Sequence, residues 1–354
     1  MTNLEITSAY VGSDQIIKLY LGAETIWSSS TPPVPPTPVY SAMPLTFEII
    51  SGGTIVWRAQ NTAYTKTIEY STDSGETWTS ITSNTGDSAP SISVSAGDVV
   101  QFRGDNATYS SGSTTGSPLK SNYFSGSTAK FEVEGNIMSL IDSTGYTTAT
   151  TLASSFTFSS LFRNCTGLTS AENLVLPATT LANECYNAMF SACTSMTTAP
   201  ELPTMTLADG CYHNMFKACS GLTTPPELPA TALTDSCYSG MFSGCRSLTT
   251  APELPATTLV NKCYQYMFQD CTSLTIAPEL PATTLVSSCY YNMFGGCTNL
   301  NYIKCLATDI STTRCTADWV RNINTQGTFV KDANMSTWTT GINGIPKNWT
   351  VQDA

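Results

Sequence analysis

The clearest pattern of apolar and polar positions in this chain is a 26-residue repeat. Five copies follow one another without insertion between Pro177 and Leu306, each close to P-A-T-T-L-x-x-x-C-Y-x-x-M-F-x-x-C-T-S-L-T-T-A-P-E-L. A degenerate copy precedes them around Leu161 and Cys165, so the pattern predicts about six turns. A unit this small cannot bury its own apolar face. Successive turns are therefore expected to stack and share one core.

Each copy combines two short patterns. The stretch C-Y-x-x-M-F-x-x-C, which runs from Cys185 to Cys193 in the first full copy, places apolar residues at i, i+1, i+4, i+5 and i+8. This spacing predicts one apolar stripe on a short helix, and the constant Cys, Tyr, Met and Phe positions are predicted to form the core. The stretch that follows alternates as a short strand interrupted by Pro200. One helix and one strand per turn predict an α/β solenoid.

A different pattern precedes the repeats. Over residues 40–140 the apolar residues alternate in short runs, and turn residues separate these runs at the spacing typical of sandwiches. The runs are 45–49, 54–57, 67–70, 91–94, 99–102 and 130–133. They predict an antiparallel β-sandwich of the immunoglobulin-like kind.

The N-terminal segment contains a small duplication, Y-V-G-S-D-Q-I and Y-L-G-A-E-T-I, with a spacing of ten residues. Each half is predicted to be a strand with a glycine-centred turn. Because two such strands are marginally stable alone in water, the segment is predicted to anchor the chain to a partner. The candidate anchoring residues are Tyr10, Tyr20, Ile26 and Trp27. Five prolines in seven residues follow, and they predict a stiff polyproline II spacer.

The repeat motif supports a family resemblance. The sequence M-F-x-x-C-T-S-L-T-T-A-P-E-L-P, kept at one spacing in five copies, resembles the BspA-type leucine-rich repeats of gut bacteria and their phages, including phages of Bacteroides. The resemblance covers residues 150–306 and implies surface recognition without catalysis. The tail between Gly327 and Trp349 looks like the cap that often closes such arrays. The opening Y-L-G-x-x-x-I-W is similar to anchoring segments of gut-phage virion proteins.

Together these patterns predict a multidomain fold that combines β domains with an α/β solenoid. The predicted parts are a short β anchor at 1–27, a proline-rich linker at 28–38, an antiparallel immunoglobulin-like β-sandwich at 39–145, a leucine-rich-repeat solenoid of about six turns at 146–306 and a C-terminal cap at 307–354.

Composition argues against several classes of function. The formal net charge of −11 comes without any cluster of Lys and Arg, whereas binding to nucleic acid needs a basic stripe. The chain does not open with a basic segment followed by an apolar run, and it has no 18-residue apolar stretch. Neither a secretory signal nor a membrane span is therefore expected.

The thirteen cysteines mostly reflect the repeat, because ten of them occupy its two cysteine positions. Cysteines eight residues apart on a helix are separated by ~12 Å, beyond the ~7 Å limit for a disulfide, which excludes pairing within a turn. Equivalent cysteines of adjacent turns could pair, or they could form columns of buried thiols. With no C-x-x-C motif and with His213 as the only histidine, no metal site, cofactor or enzyme activity is expected.

Two short motifs lie in the predicted sandwich. Residues 71–78, S-T-D-S-G-E-T-W, fit the Asp-box and resemble the hairpin motif of sialidase propellers. A lone copy predicts a tight turn in which Asp73 binds backbone amides, Gly75 adopts a positive φ and Trp78 packs behind the turn. Glycosidase activity is the disfavoured alternative. The tripeptide R-G-D at 103–105 is predicted to be an ordinary turn.

Positions that differ between copies indicate a candidate binding surface. The two residues after each C-Y pair change freely and are predicted to face solvent opposite the apolar stripe. The candidate ligand-contacting residues are His213, Gln265, Tyr266, Tyr291 and Asn292. Tyrosines at such positions suit stacking on sugar rings, and a neutral surface that tolerates drift is the alternative.

The A-P-E-L segments predict a second feature, a row of carboxylates along the stack. Like charges about one strand spacing apart repel, so the row either lies at a solvated edge or collects cations. Its members are Glu201, Glu227, Glu253 and Glu279, with Lys304 at the same position in the fifth copy.

The sequence as a whole favours a non-enzymatic structural protein of a phage virion, a fibre or decoration protein that displays the repeats as an adhesin. The expected partners are other virion proteins through residues 1–27 and a host-surface glycan or protein through the repeats, with no nucleic acid and no membrane insertion. Homo-oligomerisation is left open. The expected location is the particle surface, after synthesis in the host cytoplasm. The alternative is a bacterial cell-surface adhesin of the same repeat family, which would need a signal peptide or lipobox.

Overall fold

A computed structural model describes residues 4–11, 14–21, 24–28, 39–112, 120–125, 128–336 and 338–354, and for residues 4–28 it describes the backbone alone. The chain divides into two compact units, Met1–Val39 and Tyr40–Ala354. Apart from Ser28, the predicted spacer at 28–38 lies outside the described residues.

The N-terminal unit contains three antiparallel strands in the order β1-β2-β3. They are β1 Leu4–Val11, β2 Asp14–Leu21 and β3 Glu24–Ser28. The register between β2 and β3 shifts between Leu19 and Tyr20, which marks a bulge. The duplicated segment therefore forms three strands where its pattern predicted two.

The second unit begins with a β-rich region. Its strands are β4 Leu45–Ser51, β5 Gly53–Ala59, β6 Thr67–Ser71, β7 Thr79–Thr82, β8 Ser91–Val94, β9 Val99–Arg103, β10 Ser110–Ser111, β11 Lys120–Phe124, β12 Lys130–Asn136, β13 Leu168–Ser170 and β14 Leu174–Val175. Short 3-10 helices occupy Tyr40–Ala42, Gly86–Ser88 and Ile137–Leu140.

Two sheets enclose an aromatic core in this region. One sheet has the order β10-β11-β5-β8, and the larger one has the order β13-β12-β4-β9-β6-β7, with β14 also paired to β12. Phe124 of β11 lies 4.9 Å from Phe47 of β4, between ring centroids, and 4.7 Å from Trp57. Phe47 is buried and its neighbour Glu48 is exposed, as expected for a strand that presents alternate residues to the core.

The larger sheet continues into the repeats. Strand β12 pairs antiparallel with β4 on one side and parallel with β13 on the other, where Phe131 lies opposite Leu168. Parallel bridges then join Ser170 to Thr198 and Thr198 to Thr224 in the following copies. The prediction of an antiparallel immunoglobulin-like sandwich at 39–145 therefore needs correction: its strands pair antiparallel with one another, but the second edge of β12 continues in parallel into the repeats.

The predicted α/β solenoid is also wrong. Residues 39–112, 120–125, 128–336 and 338–354 contain no α-helix, and the C-Y-x-x-M-F-x-x-C stretch forms a chain of tight turns instead. Positive φ values prevent a helix, since Glu184, Ala188 and Ala192 have φ of 57°, 52° and 62°. The same positions are left-handed in the other copies, at Phe156, Ser160 and Asn164; Gly210, Asn214 and Ala218; Ser236, Gly240 and Gly244; Lys262, Tyr266 and Asp270; Ser288, Asn292 and Gly296; and Arg314, Asp318 and Asn322.

Successive backbone amides in this chain of turns alternate between two kinds of hydrogen-bond acceptor. One set closes local turns, as when the Asn187 amide donates to the Glu184 carbonyl at 3.2 Å. The other set donates to the next copy, as when the Tyr186 amide donates to the Cys211 carbonyl at 3.0 Å. Backbone hydrogen bonds, rather than helix packing, therefore hold neighbouring copies together. We call the resulting assembly of residues 152–322 the repeat stack.

Two columns of aromatic rings run through the repeat stack. One contains Phe158, Tyr186, Tyr212, Tyr238, Tyr264 and Tyr290, and the other contains Phe162, Phe190, Phe216, Phe242, Phe268 and Phe294. Neighbouring centroids are 5.4 to 5.8 Å apart in the phenylalanine column. All these rings are buried, which confirms that the constant Tyr and Phe positions form the core.

Both ends of the repeat stack are closed by other parts of the chain. At the first turn, the Tyr109 and Phe124 amides of the β-rich region donate to the Thr157 and Leu161 carbonyls, each at 2.8 Å. At the last turn, the Asp318 amide donates to Asn343 Oδ1 at 2.8 Å. Trp319 ends both aromatic columns.

The C-terminal region contains a parallel sheet in the order β15-β16-β17. The strands are β15 Tyr302–Cys305, β16 Thr328–Lys331 and β17 Thr350–Asp353. An ion pair of 2.5 Å between Lys331 Nζ and Asp353 Oδ1 joins the last two strands.

Candidate functional site

Chemically reactive groups in the described residues are dispersed or buried. Among these residues no three His, Cys, Asp or Glu side chains come together in a way that could hold a metal ion. His213 lies on the second full turn, where its Nδ1 is 3.8 Å from Glu184 Oε2, and Asn187 Nδ2 donates to the same oxygen at 2.5 Å. His213 is thus part of a small polar contact between neighbouring turns.

The repeat cysteines form columns of buried thiols. Cys193 Sγ donates to the Phe162 carbonyl at 2.9 Å, and Cys245 Sγ donates to the Phe216 carbonyl at 3.1 Å. Burial raises the pKa of the Cys219 thiol to about 12. Because the thiolate is the reactive form, these side chains are poor nucleophiles and act as packing and hydrogen-bonding groups.

The Asp-box is a structural turn, as its sequence predicts. Thr77 donates from its amide to Asp73 Oδ1 at 2.9 Å, and Ser71 Oγ donates to the same oxygen at 2.7 Å. A hydrogen bond from the Thr77 hydroxyl to Asp73 Oδ2, together with these two, lowers the pKa of Asp73 to about 2. Gly75 has a φ of 87°, and Trp78 Nε1 donates to its carbonyl at 3.0 Å.

The first residue of the R-G-D tripeptide is engaged within the larger sheet. Arg103 ends strand β9, where its Nε lies 2.7 Å from Glu69 Oε2. Its guanidinium also lies 4.1 Å from the centroid of the Trp78 ring. Arg103 therefore contributes to packing between β6, β9 and the Asp-box turn, and these contacts constrain its side chain.

The predicted variable surface lies on turns instead of a helix, and its members differ in exposure. His213, Gln265, Tyr266 and Tyr291 are half-buried, whereas Asn292 is only 8% exposed. Asn292 Oδ1 is buried without a hydrogen-bond partner in the described part of the chain. The prediction that each variable pair projects into solvent opposite an apolar helix stripe is thus wrong.

The structure does bring Tyr266 and Tyr291 together. Their ring centroids are 5.1 Å apart and the rings meet edge to face at 75°. The guanidinium of Arg314 covers the Tyr291 ring at 4.4 Å from its centroid. Burial raises the pKa of Tyr266, and its hydrogen bond with Tyr291 raises it further. Three successive turns thus each contribute one side chain to a cluster, which we call the tyrosine–arginine cluster.

Tyr266 is a bulky residue at a backbone position that is left-handed in every turn. Its φ is 57°, in the left-handed region that is costly for a bulky residue. The equivalent positions in the other turns hold Ala188, Asn214, Gly240, Asn292 and Asp318, which are all smaller. Strain of this kind concentrates at functional sites, so the placement of a tyrosine here points to a role of its ring.

Sequence reasoning missed Arg314, although a signal was available. Cys315 lies 26 residues after Cys289, so the repeat register continues beyond residue 306 into the region predicted as the cap. Trp319 and Val320 then take the places of Met293 and Phe294. Extending the register by one copy puts Arg314 at the position of Ser288, immediately before the cysteine.

A cleft with a mixed polar and apolar lining lies beside Arg314. Its volume is about 500 Å³, and Arg314 forms part of its wall. Hydroxyl and amide side chains supply much of the lining, from Ser311, Thr312, Thr313, Thr316, Thr339 and Asn343. Asp309, at the same cleft, accepts hydrogen bonds from the Ser311 amide and Oγ at 2.8 and 2.9 Å.

The carboxylate row forms a second surface. Glu201, Glu227, Glu253 and Glu279 are all exposed, in agreement with the solvated-edge alternative. Glu279 is paired with Lys304 at 3.0 Å. Prolines and leucines of the same segments line shallow clefts of about 340 and 400 Å³ beside the row. These clefts hold no buried polar side chain that lacks a partner.

Strands β1 to β3 carry the predicted anchor residues Tyr10, Tyr20, Ile26 and Trp27, but their side chains lie outside the described part of the structure. Among the described residues, no helix has the length and apolar character to cross a bilayer. No protein-family model, curated protein or solved structure matches this chain.

Proposed function

We propose that this chain is a non-catalytic attachment protein of a phage particle, in which the repeat stack presents the tyrosine–arginine cluster to a glycan or protein on the host surface. The observation that carries the proposal is the convergence of Tyr266, Tyr291 and Arg314 from three successive turns, with Tyr266 held in a costly conformation. Aromatic and arginine side chains dominate binding sites of this kind.

The repeat stack supports this role by holding the backbone of the binding residues in place. Hydrogen bonds between turns fix the backbone of each contributing residue, so little conformational entropy remains to be lost when a ligand binds. The buried thiols and dispersed carboxylates supply no obvious chemistry, and the proposal assigns binding alone to the cluster. In the same proposal, residues 1–27 attach the chain to other virion proteins, as their resemblance to phage anchoring segments implies.

The test is binding of the full chain to an array of purified bacterial surface polysaccharides and surface proteins. Replacement of both Tyr266 and Tyr291 by Ser is expected to weaken binding at least about tenfold, because stacked aromatics at a contact centre contribute ~1.4 kcal/mol or more. The melting temperature should change little, since neither ring belongs to the two core columns.

A matched control uses two half-buried tyrosines of the β-rich region. Tyr64→Ser combined with Tyr123→Ser removes the same chemical groups elsewhere and should leave array binding unchanged. If the Tyr266/Tyr291 variant stays folded and binds like the unmodified chain, the cluster is not the attachment site.

A further inference from the structure

Arg314 is a cation without an acidic partner in a strongly acidic chain. The formal net charge is −11, yet Arg314 makes no ion pair within the described residues, whereas Arg103, Lys304 and Lys331 each pair with a carboxylate. The nearby acid Asp309 is occupied by Ser311. Arg314 is exposed, so its charge is available to a ligand.

The Tyr291 ring holds the guanidinium of Arg314 in place. The guanidinium carbon lies 4.4 Å from the centroid of the Tyr291 ring, and among the described residues no side chain or carbonyl accepts a hydrogen bond from the guanidinium. A guanidinium edge presents two parallel N–H groups, which match the two oxygens of a carboxylate. A guanidinium held in this way is organised in advance for an anionic group that lies next to an aromatic surface.

The adjoining cleft supplies the remaining contacts that a sugar needs. Its volume of about 500 Å³ falls in the usual range for small-ligand sites. The hydroxyls of Ser311, Thr312 and Thr316 donate to Asp309 Oδ2, the Leu285 carbonyl and the Asn343 carbonyl, so their oxygens remain as acceptors for sugar hydroxyl groups. Thr339 adds a fourth hydroxyl to the lining. An aromatic pair, a cation and a hydroxyl-lined cleft thus adjoin one another at the last turns of the repeat stack.

We propose that the tyrosine–arginine cluster and this cleft bind an acidic saccharide, with a sugar ring against Tyr266 and Tyr291 and a uronate carboxylate on Arg314. This inference rests on the proposed attachment function and narrows its ligand class. Distant acidic residues of the chain do not oppose it strongly, because charges beyond a Debye length of ~8 Å are largely screened at physiological salt. The local acids are Asp309 at the cleft and Asp318, which acts electrostatically on Tyr266, and the carboxylate on Arg314 has to avoid them.

The experiment is calorimetric titration of the full chain with oligosaccharides of galacturonate and of glucuronate, each compared with its carboxyl-reduced, neutral counterpart. We expect at least one acidic oligosaccharide to bind about tenfold more tightly than its neutral counterpart. Arg314→Gln should abolish that preference, and Arg314→Lys should restore only part of it, since lysine keeps the charge and loses the bidentate geometry. Arg321→Gln, an exposed arginine on the same turn, is the matched control and should behave as the unmodified chain.

The outcomes separate this inference from the proposed function. If the unmodified chain binds neither acidic oligosaccharide, or binds acidic and neutral forms equally, the acidic-saccharide inference is wrong. The attachment function still stands in that case if the Tyr266/Tyr291 variant loses binding on the polysaccharide and protein array. Retained carboxylate preference in Arg314→Gln also overturns the inference, because the preference then arises elsewhere.

Discussion

At the scale of single residues, Glu134 shows how the β-rich region tolerates a buried carboxyl group. It lies on strand β12 and is 7% exposed. Burial, together with the smaller effect of the charges of Glu48 and Glu132, raises the pKa of Glu134 from 4.5 to about 7. The group is therefore largely neutral in the folded chain under mildly acidic conditions.

This shift gives a pH dependence of stability with a definite sign. Between 4.5 and about 7, the folded chain retains a proton that the unfolded chain has lost, so the free energy of unfolding should fall as the pH rises across that interval. Glu134→Gln keeps a neutral group at this site, and it should flatten this part of the profile and stabilise the chain at the upper end. Urea unfolding at both ends of the interval measures the effect.

Glu76→Gln is the control for that profile, because Glu76 is exposed on the Asp-box hairpin. It should leave the slope unchanged. An unaltered slope in Glu134→Gln would mean that another group carries the pH dependence.

At the scale of elements, the sequence predicted which residues are buried better than it predicted the backbone that buries them. Cys185, Tyr186, Met189 and Phe190 are buried as their constant spacing predicts. Their spacing has a period of four, which lies close to the helical period of 3.6 and fits the chain of turns equally well. The sequence signal that distinguishes turns from a helix is Gly or Asn at the left-handed positions. It was weak, because these positions hold Gly or Asn in some copies and Ala, Ser or Lys in others.

The candidate site was also predicted only in part, because the residue pattern was read on the wrong backbone. Variation between copies identified Tyr266 and Tyr291, which do meet. It also identified Asn292, which is buried, because exposure was assigned from a helix that does not form. Arg314 was missed because the repeat register was ended one copy early.

The chain of turns predicts an unusual effect of glycine. Ala192 has a φ of 62°, and the equivalent residues Gly244 and Gly296 are glycines with positive φ. Ala192→Gly should therefore stabilise the protein by about 0.5–1 kcal/mol, because glycine adopts this conformation without steric cost. On a helix the same change would destabilise by about 1 kcal/mol. Thermal and urea unfolding distinguish the two signs.

Ala182→Gly provides the matched control for that change. Ala182 lies in the same copy and has no positive φ, so glycine there should destabilise slightly by increasing the entropy of the unfolded chain. Equal destabilisation by both substitutions would contradict the turn geometry.

At the scale of the whole molecule, the β-rich region is the first support of the repeat stack. It donates amides to the Thr157 and Leu161 carbonyls, and it packs Tyr109 and Phe124 against Phe158 and Phe162 at ring-centroid distances of 6.2 and 5.8 Å. The sheet that passes through β12 and β13 adds further pairing. Residues 40–354 accordingly form one compact unit.

Removal of this support should therefore prevent folding of the repeats. A fragment of residues 146–354 loses the pairing of the Thr157 and Leu161 carbonyls with the β-rich region and exposes the first rings of both columns to water. We expect it to be aggregated or to melt without cooperativity, whereas residues 40–354 should melt in one transition. Circular dichroism and size-exclusion chromatography report the difference, and a 146–354 fragment as stable as the longer one would show that the repeats support themselves.

Within the chain of turns, the amides that leave each copy all donate to the following copy, and this regularity bears on how such a gene can evolve. Each turn offers the preceding turn the same acceptors and offers the following turn the same donors, and both end structures match that common interface. Unequal recombination between copies can therefore add or delete a whole repeat without creating a mismatched junction. The length of the repeat stack can change in single genetic events while its two terminal supports stay as they are.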